Sequence, residues 1–153
     1  MTFPKARVIV SGGLFVAWLG FLVFLILDSN TIILSRPQFL IAQLYVVADI
    51  KNDHGRPDPD LRVEEVVWAA NPQDRELKAI TLPELAEAKK QHGYAGPGRY
   101  LLPLQKKANG TFVMAPMPRT ALAAADFKIY PWTAGTKRQL QELLAAREAP
   151  ATR

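Results

Sequence analysis

The chain reads as an α+β protein. It is expected to carry one N-terminal transmembrane helix and then a small, mostly antiparallel β-barrel, with a short helix between strands three and four and a C-terminal helix. Three observations carry that expectation. An uncharged apolar run, VIVSGGLFVAWLGFLVFLIL, occupies Val8 to Leu27. Apolar residues then alternate from Phe39 to Lys51, the period of a half-buried strand. Clusters of Gly, Pro, Asn and Asp punctuate the remainder and divide it into further short elements.

At about 1.5 Å per residue, a helix over 8–27 would be about 30 Å long, the thickness of a bilayer's hydrocarbon core. Lys5 and Arg7 precede the run, Asp28 follows it, and no further cation appears before Arg36. The positive-inside bias therefore predicts a single-pass protein of the cell (inner) membrane, with residues 1–7 cytoplasmic and the rest on the outer side. A cleaved secretory signal would have a shorter apolar region and a small-x-small exit. Leu27-Asp28-Ser29-Asn30 offers no such exit, so the segment reads as a retained signal-anchor. Gly13, Ala17 and Gly20 form a stripe of small residues and are candidates for helix packing. The expected partners are the lipid bilayer and, through this stripe, other membrane subunits.

Residues 28–38 are a connector that reaches at most about 35 Å. In the strand over 39–51, the even positions Leu40, Ala42, Leu44, Val46, Ala48 and Ile50 are all apolar and are expected to face the core. Residues 52–60 (NDHGRPDPD) form a turn region. In the second strand, Leu61 to Ala69, the apolar phase switches across Glu64-Glu65, which predicts a bulge. Leu77 to Thr81 is a third strand. Thr81-Leu82-Pro83-Glu84 has capping-box spacing and opens a helix that buries Leu82, Leu85, Ala86 and Ala88 and stops at Gly93. Arg99 to Lys106 is the fourth strand, with Pro103 at an edge or an irregular spot. Asn109-Gly110 turns it into Thr111 to Ala115. A loose crossing (116–126) and a short strand, Phe127 to Tyr130, complete a β-domain over 39–132. Thr136-x-x-Gln139 is a second capping box that opens a terminal helix running to about Arg147, in a C-terminal segment assigned to 133–148, with Leu140, Leu143 and Leu144 turned inward; 149–153 is a tail.

The composition narrows the chemistry. The net charge of +5 comes from mixed signs without a basic run or stripe, so no nucleic-acid partner is expected. The chain has no cysteine, which excludes thiol catalysis and Cys-ligated metal centres. Its serines are Ser11, Ser29 and Ser35 and its histidines are His54 and His92, a set too sparse for a hydrolytic triad. His54 lies among Asp53, Asp58 and Asp60 but without cation-loop spacing, so it reads as a solvated turn. Glu64 and Glu65 are adjacent in a strand and point to opposite faces, which rules them out as a paired acid and base. No catalytic, cofactor-binding or metal residue is nominated, and no cofactor is expected. Trp68, Tyr100, Tyr130 and Trp132 are candidates for an aromatic ligand surface, although filling a small barrel core or settling at the membrane interface is the preferred explanation. Asn109-Gly110-Thr111 matches a glycosylation acceptor, and turn chemistry accounts for it.

Three strands, a short helix and a hairpin of two more strands resemble an OB fold. The long first strand, Val63 to Trp68 (VEEVVW) and Gly98 to Leu104 (GRYLLPL) are similar to OB-type modules of the netrin and metalloproteinase-inhibitor families. Inhibition by that second family requires an N-terminal cysteine and disulfides, which are missing here, so the activity does not carry over. An N-terminal span followed by an OB barrel also resembles the haem chaperone of cytochrome c maturation. That family holds haem at His in an H-x-x-x-Y setting, and His92 with Tyr94 has the wrong spacing. The whole chain reads like single-pass proteins of bacterial genomes, which implies no activity. The expected function is a non-enzymatic, membrane-anchored accessory or interaction module of a membrane or envelope complex. The alternative is a ligand-binding OB-like module on the outer face of the membrane.

Overall fold

A computed structural model describes residues 13–23, 32–53, 55–118 and 126–148. The chain divides into two units, Met1–Ile32 and Ile33–Arg153. In the first, residues 13–23 form a helix, α1, whose Leu14, Phe15, Val16, Trp18, Leu19, Phe21 and Val23 are exposed. Among the described residues no helix is long and apolar enough to cross a membrane. That finding corrects the expected fold class, and with it the signal-anchor and the single-pass inner-membrane localisation. The remainder of the expected span, residues 8–12 and 24–27, lies outside the described residues, as does the N-terminus on which the orientation argument rested.

The second unit begins with α2, Arg36–Ile41. This corrects the expected strand over 39–51, whose first residues are helical. Pro37 sits in the first turn, where its fixed φ favours a helix start, so Leu40 and Ala42 continue the alternation only by coincidence. The strand proper is β1, Leu44–Ile50. The other strands are β2 (Asn52–Asp53), β3 (Arg56–Pro57), β4 (Asp60–Ala69), β5 (Ala79–Thr81), β6 (Gly98–Lys106), β7 (Phe112–Met114) and β8 (Tyr130–Pro131); α3, Ala134–Glu148, ends the unit. The main sheet is antiparallel in the order β5-β4-β1-β6-β7, with β8 also pairing β6. β2 and β3 form a separate hairpin.

Two expectations fail on this sheet. It is not a closed barrel: β5 and β7 are its two ends and do not pair, which leaves a curled half-barrel. Nor does an α-helix separate β5 from β6. The interval holds two 3-10 turns, Pro83–Glu87 and Lys90–His92. The buried residues there are Leu82, Leu85 and Ala88. Their spacing of three matches the 3-10 period rather than 3.6, so three residues per turn is what buries all of them. The expected capping box is also replaced. Glu84 Oε2 accepts from the Met114 amide at 3.1 Å and thereby spans the gap to β7.

The phase switch in β4 is a pair of register shifts. Val46 lies opposite Val66 and Ala48 opposite Val63, so Val67 and Glu64 are the extra residues. The even residues of β1 join Leu61, Ile80, Leu82, Tyr100, Leu102, Leu104 and Ile129 in the main core. The odd face is also covered: Tyr45 and Val47 are as buried as their neighbours. Phe39 of α2 packs edge-on against Tyr45 at 5.0 Å and lies 5.5 Å from Tyr130. From α3, Leu140 is buried and Arg147 donates to the Tyr45 hydroxyl at 2.7 Å. α3 starts at Ala134, two residues before the expected box, because Thr133 and Thr136 cap each other: the Thr133 amide donates to Thr136 Oγ1 at 2.8 Å and the Thr136 amide to Thr133 Oγ1 at 3.2 Å.

Along one side of β6 the pairing is split, with β8 on Tyr100 and Leu101 and β7 on Leu104 to Lys106. Pro103, which has no N–H to offer, lies in the split and accepts from the Ala115 amide at 2.9 Å. The segments that follow β7 and precede β8 are bridged at Pro116 and Phe127, and the carbonyls flanking that bridge take further donors. Fully buried Gln38 supplies them: its Nε2 donates to Ala115 O at 2.8 Å and to Lys128 O at 3.0 Å. Its Oε1 accepts from the Tyr130 hydroxyl at 2.8 Å, and that hydroxyl accepts from the Ser35 amide at 3.1 Å. Every donor of the amide is used.

Replacing Gln38 by Met keeps the volume and removes all three bonds. Each orphaned buried group costs about 1–3 kcal/mol, so Gln38→Met is expected to lower unfolding stability by about 3 kcal/mol or more in urea titration. Gln38→Glu should cost more at neutral pH, because an anion would then face two carbonyl oxygens.

Candidate functional site

A groove of about 960 Å³ lies in the second unit, at the open seam of the half-barrel. One wall is the pair of 3-10 turns, which contribute Glu84, Ala86, Glu87, Lys89, Gln91 and His92. The other wall is Met114 and Pro116 with Asp126 and Phe127, and Arg56 and Pro57 close one end. The groove exists because β5 and β7 do not meet: turns of period three cannot replace a strand, so a channel remains beside them.

Three of its polar side chains, Glu84, His92 and Tyr94, are held by backbone or by a neighbouring side chain. Glu84 holds the Met114 amide. His92 Nδ1 accepts from the Lys89 amide at 3.0 Å, which places the proton of neutral His92 on Nε2. The imidazole stacks on Phe127 at 4.6 Å with 25° between the rings, and the His92 carbonyl accepts from Ile129 N–H at 2.7 Å. Tyr94 donates to Asn52 Oδ1. Its phenol is pushed above the ordinary range by burial and then by the neighbouring Tyr100. Exposed Arg56, Glu87, Lys89 and Asp126 give the rim both signs of charge. Such a set can recognise a mixed-charge surface by hydrogen bonds and ion pairs, with Met114, Pro116 and Phe127 as apolar floor.

The residues nominated from sequence lie elsewhere. Gly13, Ala17 and Gly20 fall within α1, where Ala17 is exposed and a Cβ at either glycine would meet nothing within 4 Å. The four aromatics do not form one surface. Tyr100 is in the main core, with its hydroxyl accepting from the Ala95 amide and donating to the Gly96 carbonyl. Tyr130 is buried on the opposite face beside Gln38. Trp68 is half-buried on that second face, 4.9 Å from Tyr45, with the Arg147 guanidinium 3.9 Å above its ring. Trp132 is half-buried, and its backbone pairs with Arg99.

His54 lies outside the described residues. Asp58 caps the Asp60 amide at 2.9 Å, and Asp60 accepts from Thr81 Oγ1 at 2.7 Å. Among the described residues no three His, Asp or Glu side chains are grouped to hold a metal ion. Glu64 is paired with Arg99 at 2.5 Å. The groove residues gave no sequence signal of their own: His92 read as a helix end, Glu84 as a cap, and Phe127 as a strand residue. No known protein family, characterised protein or solved structure matches the chain.

Gly93 ends the groove wall at φ +88°, and a Cβ there would stand 2.2 Å from the Ile129 carbonyl oxygen. Gly110 has nearly the same φ, +84°, with open space around it. Gly110→Ala should therefore cost only the left-handed backbone term, about 1–2 kcal/mol. Gly93→Ala should cost clearly more in the same thermal denaturation assay, because the Ile129 backbone must also move.

Burial pushes the Tyr130 phenol up to about 12 from 10.0, against the Ser35 hydrogen bond that opposes it. A raised folded-state pKa means that this contribution is complete below pH 10 and is lost as pH rises towards and through 12. Stability should therefore fall over that interval as phenolate absorbance develops late. Tyr130→Phe, less stable at neutral pH, should lack that late component.

Proposed function

We propose that the Ile33–Arg153 unit is a non-enzymatic interaction module that engages a partner protein through the groove. The observation that supports this reading is the state of the groove's polar groups. Glu84, His92 and Tyr94 already hold backbone or a neighbouring side chain, whereas the outward charges on the rim, Arg56, Glu87, Lys89 and Asp126, are of both signs. A mixed-sign rim around an apolar floor suits a protein surface, where charges select the partner and apolar contacts supply the affinity. The groove volume also lies within the range of small-molecule sites, roughly 300–1,000 Å³, and favours a ligand-binding module as the second reading.

A photo-crosslinking amino acid at Glu87, with a control at exposed Arg138 on α3, tests the proposal in cells that produce the protein. A defined protein adduct from position 87 and none from position 138 is the expected result. Identical adducts from both positions, or none from position 87, would refute it. A small molecule retained in native mass spectrometry and released by denaturation would favour the second reading.

A further inference from the structure

The two ends of the sheet differ in how they meet solvent. On β7, the backbone groups of Thr111, Val113 and Ala115 face β6, so Phe112 and Met114 face outward. The Met114 amide is occupied by Glu84, and the next outward residue, Pro116, has no N–H. A three-residue strand, a carboxylate on its amide and an adjacent proline are standard means of keeping a sheet edge from pairing.

β5 is equally short and is also followed by an outward proline, Pro83, but among the described residues no side chain occupies its outward amides. Lys78 and Leu82 point their backbone groups at β4: the Val63 amide donates to Lys78 O at 3.0 Å, and the Leu82 amide donates to Pro59 O at 2.8 Å. Ile80 therefore faces β4 as well, and Ala79 and Thr81 present their N–H and C=O groups outward. Among the described residues nothing accepts from or donates to them. Both side chains are small and exposed. The result is two pairs of unmet backbone groups about 6.8 Å apart, a pattern matched only by another extended backbone.

We infer that the β5 edge is a docking strand for an extended segment of a partner protein, which adds to the sheet through main-chain hydrogen bonds. The flanks favour such a segment over a second copy of this chain. Proline-opened turns, Pro72–Glu76 and Pro83–Glu87, bracket the edge and leave it three residues long. A second copy would bring the same turns to both ends of this short slot, whereas a lone segment brings none. The site is separate from the groove and does not depend on the function proposed for it.

The test uses short peptides selected from a random library against the full chain, with hydrogen exchange read at the Ala79 and Thr81 amides. Bound peptide should slow exchange at both positions. Ala79→Pro removes one outward donor without touching the bonds to β4, so the fold should survive and affinity should fall about tenfold or more. Ala79→Ser, which keeps the N–H, should bind as the parent does. Groove reversals such as Glu87→Lys should leave this binding unchanged. Selected peptides that bind Ala79→Pro equally well, or the recovery of none that protects β5, would overturn the inference. Concentration-dependent dimerisation abolished by Ala79→Pro would overturn it in favour of a second copy.

Discussion

One carboxamide holds together what the strand pairing leaves apart. β6 cannot carry a continuous partner past Pro103, so β7 and β8 take different parts of its length. The carbonyls of Ala115 and Lys128 flank the antiparallel bridge between Pro116 and Phe127 that joins the two segments. A single Gln side chain reaches both, because an NH₂ group offers two donors in one plane. The Tyr130 hydroxyl then fills the remaining acceptor and draws in the Ser35 amide. Three segments far apart in sequence are tied by one polar group, and in a low-dielectric interior such a network stabilises only when it is complete.

The same residue explains why β1 is buried on both faces. Gln38 fixes α2 against the sheet, which lays Phe39 over Tyr45 and Tyr130. α3 covers the rest through Leu140 and the Arg147 guanidinium that sits over Trp68. The concave face holds the larger core and closes on itself through the 3-10 turns. Their period of three buries Leu82, Leu85 and Ala88 but cannot supply a ladder from β5 to β7. The groove and the open β5 edge both follow from that failure to close.

Local patterns in the sequence were informative where one physical rule acted alone. The even residues of β1 line the core, the β4 phase switch is a double bulge, and the Asn109-Gly110 turn joins β6 to β7 with Gly110 at positive φ. The misreadings share a cause, which is that tertiary context chose between two locally acceptable options. Leu40 and Ala42 extend a strand alternation, yet Pro37 and the Gln38 network make that segment helical. Residues 82–92 suit either an α-helix or 3-10 turns, and only the positions of β7 and Ile129 decide. The apolar run at 8–27 predicts a membrane span, and among the described residues no helix is long and apolar enough to cross a membrane. The groove was illegible because its residues come from β3, the turns, β7 and the segment before β8, and none carries a motif. Gln38 was equally silent, since a lone Gln after Pro in a connector gives no sign of the carbonyls it meets.

The most direct test of the Gln38 plug is the exchange behaviour of its own side-chain amide by nuclear magnetic resonance. Two inequivalent Nε2 protons are expected, each close in space to residues 115 and 128. Both should be protected from solvent and should exchange only when the whole unit unfolds. Rapid exchange of those protons while the β1 and β6 amides stay protected would contradict the account, for the sheet would then be standing without the bond assigned to hold it.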